Sequence, residues 1–130
     1  MSDFIFLDRR LVEVLHSAQI ERFGGATGLR DEGALEMALA RPIQKASYGC
    51  DDVIELATAY LFGLAKNHAF VDGNKRIAIV AAAVFLMENG LQIDTDDGNL
   101  YVLVYGVAAG EIDESGAAAF LADHTIPYPG

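Results

Sequence analysis

Residues 68–87 read HAFVDGNKRIAIVAAAVFLM. The last eleven, Ile77 to Met87, carry no charge and no polar group beyond one sulfur, and Asn89-Gly90 follows as a helix stop. Before them the chain breaks at Val71-Asp72-Gly73. This pattern predicts a helix starting near Asn74, apolar on every side and therefore central, with neighbours all round. The nine residues ahead of the run hold a base, a carboxylate, an amide and two cations, packed against that helix start. A helix N-terminus offers unpaired N–H groups and the positive end of a dipole, so it is a natural anion seat.

Outward from this stretch, the rest reads as further helices. Upstream, a helix from Asp52 to about Ala69 places Val53, Leu56, Ala57, Tyr60, Leu61 and Leu64 on a broad apolar face. Residues 42–51 contain Pro42 and Gly49 and read as an irregular loop or short hairpin. Asp31 is placed to cap a short helix that Pro42 ends. Asp8 is placed to cap a first helix running to about Phe23, with Leu11, Val12, Leu15 and Ile20 at helical spacing and Gly24-Gly25 as its stop. The glycines of residues 24–28 lack the Lys-Ser/Thr ending of a phosphate loop and follow a helix instead of a strand, so they read as a plain turn. Downstream, a short link through Ile93 leads to helices over Asn99–Ala109 and about Asp113–Asp123, the latter turning Phe120 and Leu121 inward. The tail from about residue 125 is expected to be irregular. Sustained period-two alternation is missing and alanine is abundant, so a β-rich fold is disfavoured. The expectation is all-α: six helices in a single domain spanning residues 1–130, with a central buried helix and a short flap.

Composition narrows the function classes. Nineteen acidic residues against nine basic give a formal net charge of −10, which disfavours direct nucleic-acid binding. The adjacent cations Lys75 and Arg76 are a local exception within that acidic field. Cys50 is the only cysteine, so neither an internal disulfide nor a cysteine-based zinc site is expected, and a reduced cytoplasmic setting is the simplest one. The first ten residues lack the apolar core of a signal peptide. The eleven-residue apolar run falls short of the roughly 20 a membrane span needs, so no membrane association is expected.

Within residues 68–76, His68 is suited to accept a proton near neutrality, where an unperturbed imidazole titrates at about 6.5. A lone histidine at a helix end is more commonly a carbonyl cap. The concentration of Asp72, Asn74, Lys75 and Arg76 beside this one favours chemistry. Asp72 is either the cap of the following helix or a hard oxygen ligand that holds Mg²⁺ together with substrate phosphates. Asn74 suits a cap or a phosphate contact, and Phe70 reads as a plug into the core. Two cations in a first helical turn oppose the dipole there. A bound polyphosphate removes the conflict, and neutralisation by Asp72 or remote glutamates is the plainer alternative. The set fits phosphoryl transfer, which depends on positioning, electrostatic stabilisation and a base that orients the nucleophile.

The motif His68-x-Phe70-x-Asp72-Gly73-Asn74-Lys75-Arg76 closely resembles the signature of the Fic/Doc family, in its death-on-curing (Doc) branch. The resemblance extends through Ile20-Glu-Arg22-Phe-Gly-Gly, Gly28-Leu-Arg30-Asp31-Glu-Gly, Leu39-Ala-Arg41-Pro42 and Ala109-Gly-Glu111-Ile112, covering residues 5 to 122. It implies an all-helical Fic fold and an ATP- and Mg²⁺-dependent transfer to a protein hydroxyl. In Fic proteins proper the motif continues Gly-Asn-Gly-Arg-x-x-Arg, and AMP is the usual group transferred. Here Lys75 replaces the second glycine and Ile79 stands where the last arginine would be, as in Doc. Lysine crowds a seat that glycine leaves open, and loss of the arginine removes a bidentate phosphate clamp.

The Doc resemblance implies a toxin that moves the γ-phosphate of ATP to a threonine of elongation factor Tu and arrests translation. It assigns His68 as base, Asp72 to the metal, and Gly73, Asn74, Lys75 and Arg76 to phosphates. Lys66 is either a further nucleotide contact or a solvated lysine at a helix end, and residues 42–50 form a flap that aligns the target. Arg22, Arg30 and Arg41 are expected to fix loops through ion pairs with Asp31 or Glu36. No self-inhibitory Ser/Thr-x-x-x-Glu-Gly/Asn helix is found, so inhibition in trans by a Phd-type antitoxin is implied. AMP transfer to a protein hydroxyl, or a non-catalytic antitoxin-binding module, are the alternative readings.

Overall fold

Five of the six helices begin directly after an aspartate whose carboxylate accepts a hydrogen bond from a backbone N–H in the first turn. These are α1 (Arg9–Phe23), α2 (Glu32–Ser47), α3 (Val53–Asn67), α5 (Asp97–Ala108) and α6 (Glu114–Asp123), capped by Asp8, Asp31, Asp52, Asp96 and Asp113. The exception is α4 (Asn74–Glu88), which starts after Gly73 with no side-chain cap. Two short strands, β1 (Leu91–Ile93) and β2 (Thr125–Pro127), complete the chain. The computed structural model describes residues 3–129, and the expected all-α architecture holds.

Four expectations need correction. Helix α2 does not stop at Pro42 but runs on to Ser47 with the proline inside it. Proline removes one helical donor and crowds the carbonyl four residues back, here Ala38. The ring is compensated by burial, and α3 approaches this turn closely: a Cβ on Gly63 would lie 3.4 Å from the Cα of Ala38. The expected irregular flap at 42–50 is therefore mostly helix, and only Tyr48–Cys50 form a turn, with the N–H groups of Tyr48, Gly49 and Cys50 bonded back to carbonyls of α2. Second, the tail is ordered as β2, antiparallel to β1 with Gln92 opposite Ile126. Third, α3 is more central than α4. It packs on α2, α4, α5 and α6, and its residues Leu56–Leu61 are buried without a break, whereas Ile79, Val80 and Val84 of α4 remain half-buried. The fifth helix also starts two residues earlier than Asn99, because Asp96 supplies the cap.

The core is one cluster of apolar side chains from all six helices. Tyr60 lies in it fully buried, stacked obliquely on Phe85 at 5.1 Å, and its hydroxyl accepts the N–H of Leu7 at 2.9 Å. Burial raises its pKa to about 12, although the Leu7 N–H partly offsets the shift. Both ends of the described chain converge on the C-terminal end of α4. Asn89 binds the N–H and carbonyl of Ile5 at 2.9 and 3.0 Å, and the Tyr128 N–H binds the Gly90 carbonyl at 2.9 Å. No helix among the described residues is long and apolar enough to cross a membrane.

Candidate active site

Helix α3 ends two residues earlier than its apolar pattern suggested, because His68 turns into the left-handed region at φ 52°, ψ 46°. Among the described residues it is the only non-glycine with a positive φ. For a residue with a Cβ that conformation costs about 1–3 kcal/mol and persists only where the neighbours dictate it. Here they do. Asn67 donates to the Ala34 carbonyl at 3.1 Å. The carbonyl of Ala69 accepts the N–H groups of both Arg30 and Asp31 at 2.8 and 3.0 Å. Val71 N–H binds the Gly28 carbonyl at 3.1 Å, and Leu29 and Phe70 form a one-residue antiparallel bridge. With Ala69 and Phe70 buried, the His68 side chain stays exposed on a fixed backbone.

The next four residues form a tight arch. The Asn74 amide accepts the Phe70 N–H at 3.0 Å and donates to the Phe70 carbonyl at 2.9 Å. Its side chain thus closes the arch, and its backbone N–H is the group left for an anion. Phe70 plugs the core as expected, 3% exposed, under the imidazole of His16, with ring centroids 3.8 Å apart and planes within 12°. His16 also bonds through Nε2 to the Asp72 carbonyl at 2.7 Å. Asp72 does not cap α4. Its Oδ2 accepts the Ala26 N–H at 2.7 Å, and Oδ1 has no hydrogen-bond partner among the described residues. The glycine turn after α1 thus holds this carboxylate, and Gly25 permits it: a Cβ there would sit 3.3 Å from that of Asp72.

Past the arch, the first N–H groups of α4 meet no side chain. Gly73, Asn74, Lys75 and Arg76 line a cleft of ≈ 170 Å³, walled on the far side by Tyr101 and Tyr105 of α5. Lys75 lies over the Tyr105 ring at 5.0 Å, and Arg76 over Phe23 at 4.9 Å. Among the described residues neither cation has a carboxylate within ion-pair distance. Among the described residues Asp72 and the glutamates therefore form no direct ion pair with them. Cations in the first turn and an open dipole end make an arrangement that an anion would complete.

Lys66 is placed elsewhere: its ammonium donates to the Val107 carbonyl at 3.4 Å, near the C-terminal end of α5, and it does not line the cleft. The expected loop-fixing arginines are also redistributed. Arg41 pairs with Glu114, and Glu36 is taken by Arg9, whose guanidinium also meets Glu32. Hydrogen bonds from those two carboxylates raise the Arg9 pKa further above its ordinary value.

Sequence reasoning assigned no role to His16 and gave none to Tyr101 or Tyr105. An i, i+4 tyrosine pair was a visible signal for one helical face. Nothing in the sequence placed that face opposite Lys75.

The chain belongs to the Fic/Doc family, whose sequence model ("Fic/DOC family") matches residues 6–86, and within that family to its Doc branch. It is 39% identical over 105 residues to "Protein kinase doc" of Escherichia phage P1, covering 80% of this chain and 82% of the relative. It is 44% identical over 122 residues to "Toxin Doc" of Mycolicibacterium smegmatis (strain ATCC 700084 / mc(2)155), covering 90% and 91%.

Proposed function

We propose that the chain is a Doc-type toxin kinase that moves the γ-phosphate of ATP to a threonine hydroxyl of elongation factor Tu in the cytoplasm, and that a Phd-type antitoxin restrains it. The observation that carries this reading is the start of α4: uncapped N–H groups and two cations without internal anions, next to an exposed histidine held in a strained backbone conformation. The names of the two relatives, a kinase and a toxin, support it.

In this reading His68 takes the proton from the threonine Oγ as that oxygen attacks the γ-phosphorus. The bond from the γ-phosphorus to the bridging oxygen breaks, and ADP leaves with the electron pair. Charge on the phosphoryl oxygens is met by the backbone N–H groups of Gly73 and Asn74 and by Lys75 and Arg76, in donors already aimed before the reaction. The Asn74 side chain serves this indirectly, by keeping the arch closed. Asp72 would hold Mg²⁺ through its Oδ1, since Oδ2 is taken by the Ala26 N–H. No group of three His, Cys, Asp or Glu side chains able to hold a metal occurs among the described residues. A Mg²⁺ ion that arrives with a nucleotide would need only this one carboxylate from the protein. The ion supplies neutralisation of phosphate charge. Lys66 is the weakest of the assignments, since reaching the nucleotide requires it to leave the Val107 carbonyl.

The deciding experiment incubates the protein with MgATP and purified elongation factor Tu, labelling the α- or the γ-phosphate in parallel. Transfer of γ-label alone is expected, and chelation of the metal should stop it. Transfer of α-label would replace the kinase with an AMP transferase. No transfer of either would leave only a binding role.

A further inference from the structure

His16 belongs to α1, is 2% exposed, and contacts the arch at two points. Its ring lies flat on Phe70, and its Nε2 reaches the Asp72 carbonyl. The acceptor is a carbonyl, so this nitrogen carries the proton and donates.

That bond fixes more than one atom. No cis peptide occurs among the described residues, and in a trans peptide the C=O and the following N–H point in opposite directions in one plane. With the Asp72 carbonyl drawn toward α1, the Gly73 N–H must point away from α1. Gly73 lines the cleft, and its N–H has no partner among the described residues. The same peptide carries Asp72 on its other side. Gly73 sits at φ 77°, and a Cβ there would lie 3.1 Å from Ile20 and 3.4 Å from His16, so the position favours glycine.

We infer that His16 is a positioning residue of the transfer reaction: through the Asp72 carbonyl it aims the Gly73 N–H at the phosphates and the Asp72 carboxylate at the metal ion that would sit with them. The inference rests on the kinase reading for its rate effect, but not for its effect on nucleotide binding.

Two variants separate aiming from packing. His16→Phe keeps a flat ring on Phe70 and removes the donor. His16→Gln keeps an N–H donor and removes the ring. Each is measured for MgATP affinity by calorimetry, for kcat and KM on the protein target, and for thermal midpoint. For His16→Phe, the MgATP affinity falls at least about fivefold and kcat at saturating ATP by about 10- to 100-fold, as for loss of a group that orients a metal ligand. KM for the protein target stays within about threefold of wild type, because the lost contact does not touch it. His16→Gln returns both quantities to within about fivefold of wild type.

Wild-type affinity and kcat in His16→Phe would overturn the inference. So would equal losses in both variants that track a falling thermal midpoint, because the ring would then serve packing alone. Failure of both variants to fold has the same meaning. Should the wild type transfer no phosphate, the kinase reading falls and the calorimetric comparison still decides the role of His16.

Discussion

The N-terminal ends of α6 and α4 solve the same problem in opposite ways. At α6, Asp113 accepts the Gly116 N–H at 2.7 Å, and Glu114 in the first turn is paired with Arg41. The cap and the ion pairs are both supplied within the chain. At α4 the capping position is a glycine, the first turn holds two cations, and no carboxylate answers them. Five helices carry an aspartate cap and one does not; α1 also opens with two arginines, but there Asp8 caps the helix and Arg9 meets Glu13, Glu32 and Glu36. The difference marks where local stability has been given up, and such a departure from local consistency is expected where a ligand completes the structure.

The largest effect that bears on this contrast concerns His68, the proposed base beside the open end. His68→Ala should lower phosphate transfer by about 10²- to 10⁴-fold, with little change in antitoxin binding, read by a γ-label assay and by co-purification. Equal toxicity in cells would remove His68 from the chemistry. Lys75→Glu tests the open end itself. An acid in the first turn suits the dipole, so urea unfolding should show a gain of about 0.5–1 kcal/mol after loss of the contact with Tyr105. Affinity for MgATP should fall at least about tenfold, since a charge has been reversed beside the phosphates. A variant that loses both stability and affinity would mean that Lys75 is structural.

The satisfied part of the molecule makes its own predictions. Tyr60 has its pKa raised from 10.0 to about 12, so the folded state favours the neutral phenol. That contribution is fully present below pH 10 and is lost as pH rises toward 12. It is worth on the order of 2–3 kcal/mol at full loss. Tyr60→Phe should unfold more easily at pH 7 by about 1–3 kcal/mol, because the Leu7 N–H loses its acceptor, and should lack the Tyr60 part of the alkaline decline. Denaturant melts at pH 7, 10 and 11 check this. The smallest effect belongs to α6: Asp113→Ala should cost about 1 kcal/mol, as for the loss of a cap, and leave phosphate transfer unchanged.

Much of this contrast was legible in the sequence. Asp8, Asp31 and Asp52 each announced a helix start, and the apolar run after Arg76 announced α4, because caps and hydrophobic period are local signals. Pro42 was misleading for a non-local reason: the cost of a proline inside α2 is offset by its burial and the close approach of α3 at Gly63, which sequence spacing does not reveal. The tail was misread because β2 is three residues long and exists only by pairing with β1, some thirty residues away. The polar motif residues could be named in advance, but not their division of labour. That Asn74 spends its amide on Phe70, that Lys66 turns to Val107, and that His16 lies under the arch are facts about neighbours distant in sequence.

The joining of Ile5 and Tyr128 to the last turn of α4 has a practical consequence. The helix is fifteen residues long, so its two ends stand about 22 Å apart. A fluorophore, an affinity handle or a fused protein attached ahead of Ile5 or beyond Tyr128 is tethered at the pole opposite Asn74. Both ends meet on the same residue pair, Asn89-Gly90, so a short peptide could also splice them into a circle, with new ends opened at the exposed Tyr48 turn.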